Sequence, residues 1–303
     1  MIGPVDFRSL GVREFGTIYE GLLESELSIA EADLIIDKEG IYKPANGTEP
    51  DVRSGDVYIH NKSGARKASG SYFTKDFAVD HLLDHSLEPA LGEHTTRLGN
   101  LDAAEAGKAF FDFRVADIAM GSGHFLVAAV DRIERRLQQY LAERPLPAVT
   151  DELARLRNSA VIALGPLADG TEIEDTTLLR RQIARRCIYG VDLNPIAVEL
   201  ARVSLWIQTF VPGLPLSMLD HHLVEGNSLV GIGTLEEAQE LVSKAAGGPL
   251  FNVFVENIVR SAAQSMAKVG DLADADAAEI QAARGALEEA RLGIDPLKAM
   301  FDI

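Results

Sequence analysis

The chain has a single cysteine, Cys187, among its 303 residues. A disulfide framework and a cysteine-rich zinc site are therefore not available from this chain, and the lone thiol reads as a small buried residue at the edge of a strand. Long apolar runs are missing too. No stretch approaches the roughly 18 residues of a membrane span, and the opening MIGPVDFRSLGVREFG lacks the basic, apolar and small-residue zones of a signal peptide. The expectation is a cytoplasmic protein with no membrane partner. Surplus positive charge is also absent: the formal net charge is -17. Phosphate neutralisation needs clustered Lys and Arg, so such a surface does not wrap nucleic acid, and a nucleic-acid substrate would have to be held mostly elsewhere. Metal-ligand spacing is lacking among the seven histidines. His81 and His85 lie four apart on a predicted helix, but no third ligand accompanies them and HExxH does not occur. The histidines read as surface or partly buried residues, and the basic run RRQIARRC as a solvated helix face.

What is present is an ordinary globular composition, 47% hydrophobic and 25% charged, enough for one large domain or two small ones. Between Val12 and Leu23 apolar residues recur at helical spacing, and a short extended stretch follows. Residues 40 to 70 are rich in Gly, Pro, Asn, Ser and Lys around the strand-like DVYIHN and read as loop and hairpin. A turn at 70–76 then leads into a helix with Phe77, Leu82, Leu83 and Leu87 on its apolar side. From there the pattern becomes strand, glycine turn and helix, in FDFRVADIAM, GSG and HFLVAAVDRIERRLQQYLAE. A second strand, RCIYGVDLNP, precedes the helix IAVELARVSLWIQTF, and a third lies in HHLVEGNSLVG. Alternating strands and helices imply a parallel sheet covered on both faces. The expected organisation is an N-terminal helical region over 1–104, an α/β domain over 105–232 interrupted by a helical insertion at 141–186, and a helical C-terminal segment over 233–303.

The glycine turn carries the chemistry. A strand, a Gly-rich turn and a helix N-terminus bring backbone close to a nucleotide-like ligand. Here Gly121 and Gly123 are followed by His124 and Phe125, so the third glycine of the dinucleotide fingerprint is missing. Asp117, four residues before Gly121, would repel a pyrophosphate and attract a ligand bearing an ammonium or sulfonium charge. A cationic nucleoside therefore suits the turn better than a nicotinamide dinucleotide, although Asp117 could instead serve as a backbone cap. Asp192 ends the second strand, where a carboxylate can take both hydroxyls of a ribose or cap the following helix. It lies 69 residues beyond Gly123, far more than the roughly 20 of a plain βαβ unit, and the insertion accounts for the excess. Asn227, after the third strand, offers an amide donor and acceptor within reach of an adenine edge, or serves as a turn residue.

As an ordered set, LGVREFGTIYEGLL, GSYFTKDFAVDHLLDHSLEPAL, DIAMGSGHFL, IYGVDLNPIAVELARVSLW and EGNSLVG resemble the adenine-specific DNA methyltransferases of type IIG restriction-modification and related phage-defence systems. The resemblance runs from about residue 6 to 232. It implies a Rossmann-like α/β sheet, S-adenosyl-L-methionine (AdoMet) as cofactor, and methyl transfer to the exocyclic amine of an adenine flipped out of DNA. Carried over by position, Tyr72 and Thr74 would meet the methionine end of the cofactor. Asp117, Ala119, Gly121 and Gly123 would meet its methionyl and sulfonium region. Asp192 would hold the ribose, Leu193 would lie against the adenine ring, and Asn227 would reach the adenine edge.

The chain departs from that family in three places. Ile118 stands where a proline is usual, and Thr74-Lys75 where the family has Thr-Pro. The Asn-Pro-Pro-aromatic tetrad, which accepts the protons of the target amine and stacks on the flipped base, does not occur. The only Asn-Pro is Asn194-Pro195, followed by Ile196, and it belongs to the cofactor strand. The expectation is an incomplete sheet and a cofactor-binding portion that does not methylate alone. DNA would be engaged through a separate target-recognition region, and the catalytic remainder supplied as another chain if the enzyme is split. Two alternatives remain: a methyltransferase with a non-DNA acceptor, and a non-catalytic, partner-binding remnant of the fold.

Overall fold

A computed structural model of the chain describes residues 25–37, 42–61, 74, 76–229, 237 and 249–301. The chain divides into two compact units, Met1–Thr74 and Lys75–Ile303. The helical pattern between Val12 and Leu23 lies outside the described residues, as do parts of the loop region.

In the first unit the expected extended stretch is a strand, β1 (Ser25–Ile29), and a second strand, β2 (Leu34–Ile36), follows it. β3 (Tyr42–Pro44) pairs antiparallel with β2, and β4 (Val57–Asn61), the strand-like segment of the sequence, pairs antiparallel with β1. Between them Asn46 and Gly47 have φ of 42° and 89°, the left-handed pair that favours Asn-Gly in tight connections.

The second unit opens with α1 (Asp76–Gly99) and the short α2 (Ala103–Ala109). Asp102 caps α2 by accepting from the amides of Ala104 and Glu105. The α/β rhythm then runs through β5 (Val115–Asp117), α3 (His124–Glu143), α4 (Pro147–Leu164), a short 3-10 turn (Gly165–Ala168), α5 (Asp175–Cys187), β6 (Ile188–Asp192), α6 (Pro195–Gln208) and β7 (Leu223–Glu225). The three strands form one parallel sheet with β6 in the centre: Val115 pairs with Ile188, and Gly190 with Leu223. The fold is thus mixed α/β, with helices around a small parallel sheet.

Helix α3 follows directly from its sequence. Leu126, Ala129, Val130, Ile133 and Leu137 recur at three- and four-residue steps and are buried, the stripe an amphipathic helix turns to a core. Its polar side is anchored as well. Arg132 ion-pairs with Asp80, Asp84 and Glu88, which are spaced four apart on α1 and so share one face. The central strand is close-packed: a Cβ at Gly190 would stand 2.1 Å from Met120 Sδ and 3.1 Å from a methyl of Leu223.

The expected helical insertion is α4, the 3-10 turn and α5, and it does not behave as a solvated excursion. Leu178, Leu179, Ile183 and Ala184 of α5 are buried in the main core. Two arginines of RRQIARRC are buried with them, Arg181 and Arg185 each 2% exposed, which overturns the reading of that run as a solvated helix face. Both reach the connection between the last two helices, α7 (Pro249–Asp271) and α8 (Ala277–Phe301). Arg185 ion-pairs with Asp274 at 3.0 Å, and Arg181 donates to the Asp274 carbonyl at 3.0 Å. Gln182 of the same helix donates to the carbonyl of Ala273. The sequence pattern counted charges, whereas Asp274, fully buried 89 residues later, decides where two of them go. α7 and α8 pack through Val269, Ile280, Ala283 and Leu287, with Met218 completing the cluster. Among the described residues no strand follows β7.

Candidate functional site

The carboxyl ends of parallel strands are where an α/β sheet leaves a crevice for ligands. Asp117 ends β5, Asp192 ends β6, and Asn227 stands two residues beyond β7. β5 passes into α3 through Ala119, Met120, Gly121, Ser122 and Gly123. The turn is pinned to the sheet by the Met120 amide, which donates to the Val191 carbonyl at 3.1 Å.

Both glycines of the turn are required by conformation. Gly121 has φ of 53° and Gly123, the N-cap of α3, has φ of 82°. Gly123, as the N-cap of α3, has no side chain with which to cap the helix. The two positions differ in room. A Cβ at Gly123 would sit 3.1 Å from the Cα and Cβ of Ala201 on α6, whereas one at Gly121 would meet nothing within 4 Å. Gly123→Ala is therefore expected to cost about 2–3 kcal/mol of stability, from left-handed strain of about 1 kcal/mol or more plus the contact with α6. Gly121→Ala is expected to cost only the strain. Urea unfolding of the two variants measures the difference.

Asp192 joins the second strand to this turn. Its Oδ2 accepts the Gly121 amide at 2.9 Å, and its Oδ1 accepts the Asn194 amide at 2.9 Å. The helix cap at α6 is instead Asn194, whose side chain accepts from Ile196. Each carboxylate oxygen of Asp192 has a further lone-pair direction, so fixing the turn and accepting ligand hydroxyls are compatible duties.

Asp117 accepts the Ala119 amide at 3.1 Å. Burial pushes its pKa above the usual carboxylate range; the Ala119 hydrogen bond opposes the shift and the nearby Asp192 charge adds to it. The Asp192 charge thus adds to the cost of ionising Asp117, a cost that a nearby positive charge would lower. The stability consequence has a definite sign. A raised native pKa makes the ionised form costly, so stability is highest below the unfolded aspartate pKa and falls as pH rises through the native one. Asp117→Asn is expected to raise the melting temperature of the ligand-free chain at neutral pH, with the gain vanishing once the pH falls below the aspartate range. Thermal melts across that range would contradict this if the gain did not depend on pH.

Leu193, just past the end of β6, is 68% exposed, an apolar side chain at the strand tip. Asn227 accepts the Leu229 amide at 2.9 Å through Oδ1, the self-bonding geometry of a turn asparagine. Glu225, missed in the sequence, stands opposite Asp192 in the register and is exposed. Its signal is the one that found Asp192, an apolar strand ending in an acid. Tyr72 lies outside the described residues, and Thr74 is the half-buried last residue of the first unit. Beside Asp117 a groove of about 400 Å³ opens between α1 and β5, lined by Leu82, Leu83, Leu87, Ile118 and Phe125. Ile118, although it lines the groove, is exposed.

Other chemistry-bearing residues lie elsewhere. His81 and His85 are exposed, with the His85 ring hydrogen-bonded to the His81 carbonyl. His94 and His222 are buried, against the reading of the histidines as surface or partly buried residues. Cys187 is fully buried, with its Sγ donating to the Phe111 carbonyl, and burial lifts its thiol pKa to about 12. Among the described residues no group of three or more His, Cys, Asp or Glu could hold a metal ion, and no helix is long and apolar enough to cross a membrane.

Asp117 and Asp192, at the ends of neighbouring strands, and the Gly121–Gly123 turn thus come together at one edge of the sheet. The chain is 24% identical over 205 residues to a protein of Methanocaldococcus jannaschii described as a "Putative type II restriction enzyme and methyltransferase". That match covers 55% of this chain and 15% of the relative, so the chain spans a small part of the protein it resembles. No family model matches, and no solved structure matches.

Proposed function

We propose that this chain is the AdoMet-binding portion of a DNA adenine methyltransferase, with the Rossmann-like sheet of such enzymes in part. The observation that carries the reading is the pairing of Asp117 and Asp192 around the Gly121–Gly123 turn. The residues present suit the cofactor: the Asp117 pKa, raised by burial and by Asp192, marks a place where a fixed positive charge such as a sulfonium is favoured. Likeness to a protein whose name includes restriction and methyltransferase activities supports the same direction.

In this reading Asp192 accepts ribose hydroxyls while holding the turn, Leu193 lies against the adenine ring, and Asn227 meets the adenine edge. Asp117, Ala119, Gly121 and Gly123 surround the methionyl and sulfonium region. The bound cofactor supplies an electrophilic methyl group; the acceptor is the exocyclic amine of adenine in DNA. This chain positions and electrostatically stabilises the cofactor, but its Asn194-Pro195-Ile196 lacks the stacking aromatic and forms the capped start of α6, just after the cofactor strand. The target base, the target-recognition surface and proton acceptance are therefore assigned to a separate polypeptide or region, in a cytoplasmic restriction-modification or phage-defence system.

The test is calorimetric titration of the purified chain with AdoMet, followed by methyl incorporation into mixed-sequence DNA. The expected result is saturable binding without incorporation. No binding by the parent chain would overturn the cofactor assignment. Incorporation into DNA by this chain alone would overturn its catalytic incompleteness, and incorporation only into a non-DNA acceptor would overturn the assigned substrate.

A further inference from the structure

A second polar cavity lies at the opposite, amino end of the same sheet. Arg114 immediately precedes β5, Tyr189 is the second residue of β6, and His222 immediately precedes β7. With Lys108, Arg186 and His221 these residues line a cavity of about 370 Å³, room for roughly twelve waters at about 30 Å³ each. In a chain of net charge -17, this is a local concentration of positive charge. Arg185 also lines it, and Asp112 is its acidic lining residue.

The charges are not all engaged within the fold. Arg185 and Arg186 are paired with Asp274 and Glu152, neither of which lines the cavity. Arg186 is further held over the Phe111 ring at 4.8 Å. Arg114 donates to the Phe111 and Phe113 carbonyls and stands 3.7 Å from Asp112. Lys108 is exposed and has no ion-pair partner among the described residues.

An independent feature points to a ligand. His222 is only 8% exposed, yet its Nδ1 has no hydrogen-bond partner, and the buried Nδ1 of His221 has none either. The His221 and His222 rings lie 4.0 Å apart by centroid, and Tyr189 lies 4.1 Å from His222, so the aromatic wall is fixed in place. An orphaned buried polar atom costs about 1–3 kcal/mol and asks for an explanation. A phosphate meets both needs. It brings charge for Lys108, Arg114 and Arg186, and its oxygens accept from an imidazole N–H, while hydrogen phosphate, unlike a backbone phosphodiester, also offers an O–H donor to an unprotonated ring nitrogen.

We propose that this cavity binds a phosphate group, supplied either as free phosphate or by a nucleic-acid backbone, at a site distinct from the crevice at the carboxyl ends of the strands. The assignment does not depend on the cofactor reading. The intact chain is titrated with inorganic phosphate and, separately, with a short DNA duplex, while the ring proton resonances of His221 and His222 are followed. His221→Gln assigns the two signals.

Saturable movement of both resonances is expected, with affinity falling at least tenfold in Lys108→Ala/Arg114→Ala; the melting temperature is measured beside it, since Arg114 also donates to the Phe111 and Phe113 carbonyls. Lys108→Glu is the second variant should the double one melt early. Duplex binding tighter than inorganic phosphate, with the gain lost in the variant, identifies the backbone as the source; equal or weaker duplex binding identifies free phosphate. Resonances that neither probe moves, or affinities the variants leave unchanged, overturn the proposal.

Discussion

Asp192→Ala is expected to abolish measurable AdoMet binding, a loss of at least about 100-fold. Each hydrogen bond to a charged acceptor contributes about 1.5–3 kcal/mol, and two ribose hydroxyls on one carboxylate together exceed the roughly 2.7 kcal/mol that 100-fold represents. The substitution also frees the Gly121 and Asn194 amides, so the turn that the ligand meets loses its tie to β6. About 1–2 kcal/mol of stability should go with it. Asp192→Asn keeps an acceptor oxygen for one of the two amides and turns an NH2 donor toward the other, so part of the stability loss remains, while no carboxylate is left for a diol and binding falls as in Asp192→Ala. Calorimetry with AdoMet beside urea unfolding measures both quantities. Affinity within threefold of the parent in Asp192→Ala would remove the carboxylate from the site and favour a partner-binding remnant of the fold.

The largest expected effect on folding lies elsewhere, at Asp274. Its Oδ2 accepts the Met218 amide at 2.9 Å and pairs with Arg185 at 3.0 Å, and its backbone accepts from Arg181. Burial pulls the pKa of both arginines down, Arg181 to about 10, and the Asp274 charge resists the shift. Removing one partner of a buried pair leaves a charge with no counterion and costs about 3–5 kcal/mol. Asp274→Ala is expected to lose that much in guanidinium unfolding, a large share of the 5–15 kcal/mol typical of a domain. Asp274 also has φ of 55°, a conformation that Asn tolerates and Ala does not. Asp274→Asn therefore isolates the charge from the backbone strain and should account for most of the loss. A loss below about 1 kcal/mol in both variants would show that the arginines relax to water.

Much of the second unit could be read from its residues. The alternation around VADIAM, IYGVD and LVE found the three parallel strands, because a buried strand is a short apolar run that ends where polar side chains begin. The stripe from Leu126 to Leu137 found α3, and the two glycines located the turn, because only glycine takes a positive φ there without strain. The sequence pattern shows Asp192 at the end of its strand, but not its bond to Gly121, since that partner is 71 residues away. RRQIARRC failed for a related reason. Local pattern counts a cation as a solvent-facing group, and only the remote Asp274 makes its burial affordable.

The amino-acid sequence by itself determined the order of strands and helices, the glycine turn and the acids at the strand ends. These depend on backbone preference and on apolar periodicity, which act over a few residues. Tertiary structure alone decided that Asp192 clasps the turn, that Asp117 is half-buried beside it, that Arg181 and Arg185 go inside, and that His221 and His222 meet the basic residues at the far end of the sheet. Those outcomes depend on charge and burial between residues distant in the chain, and electrostatic energy follows distance in space.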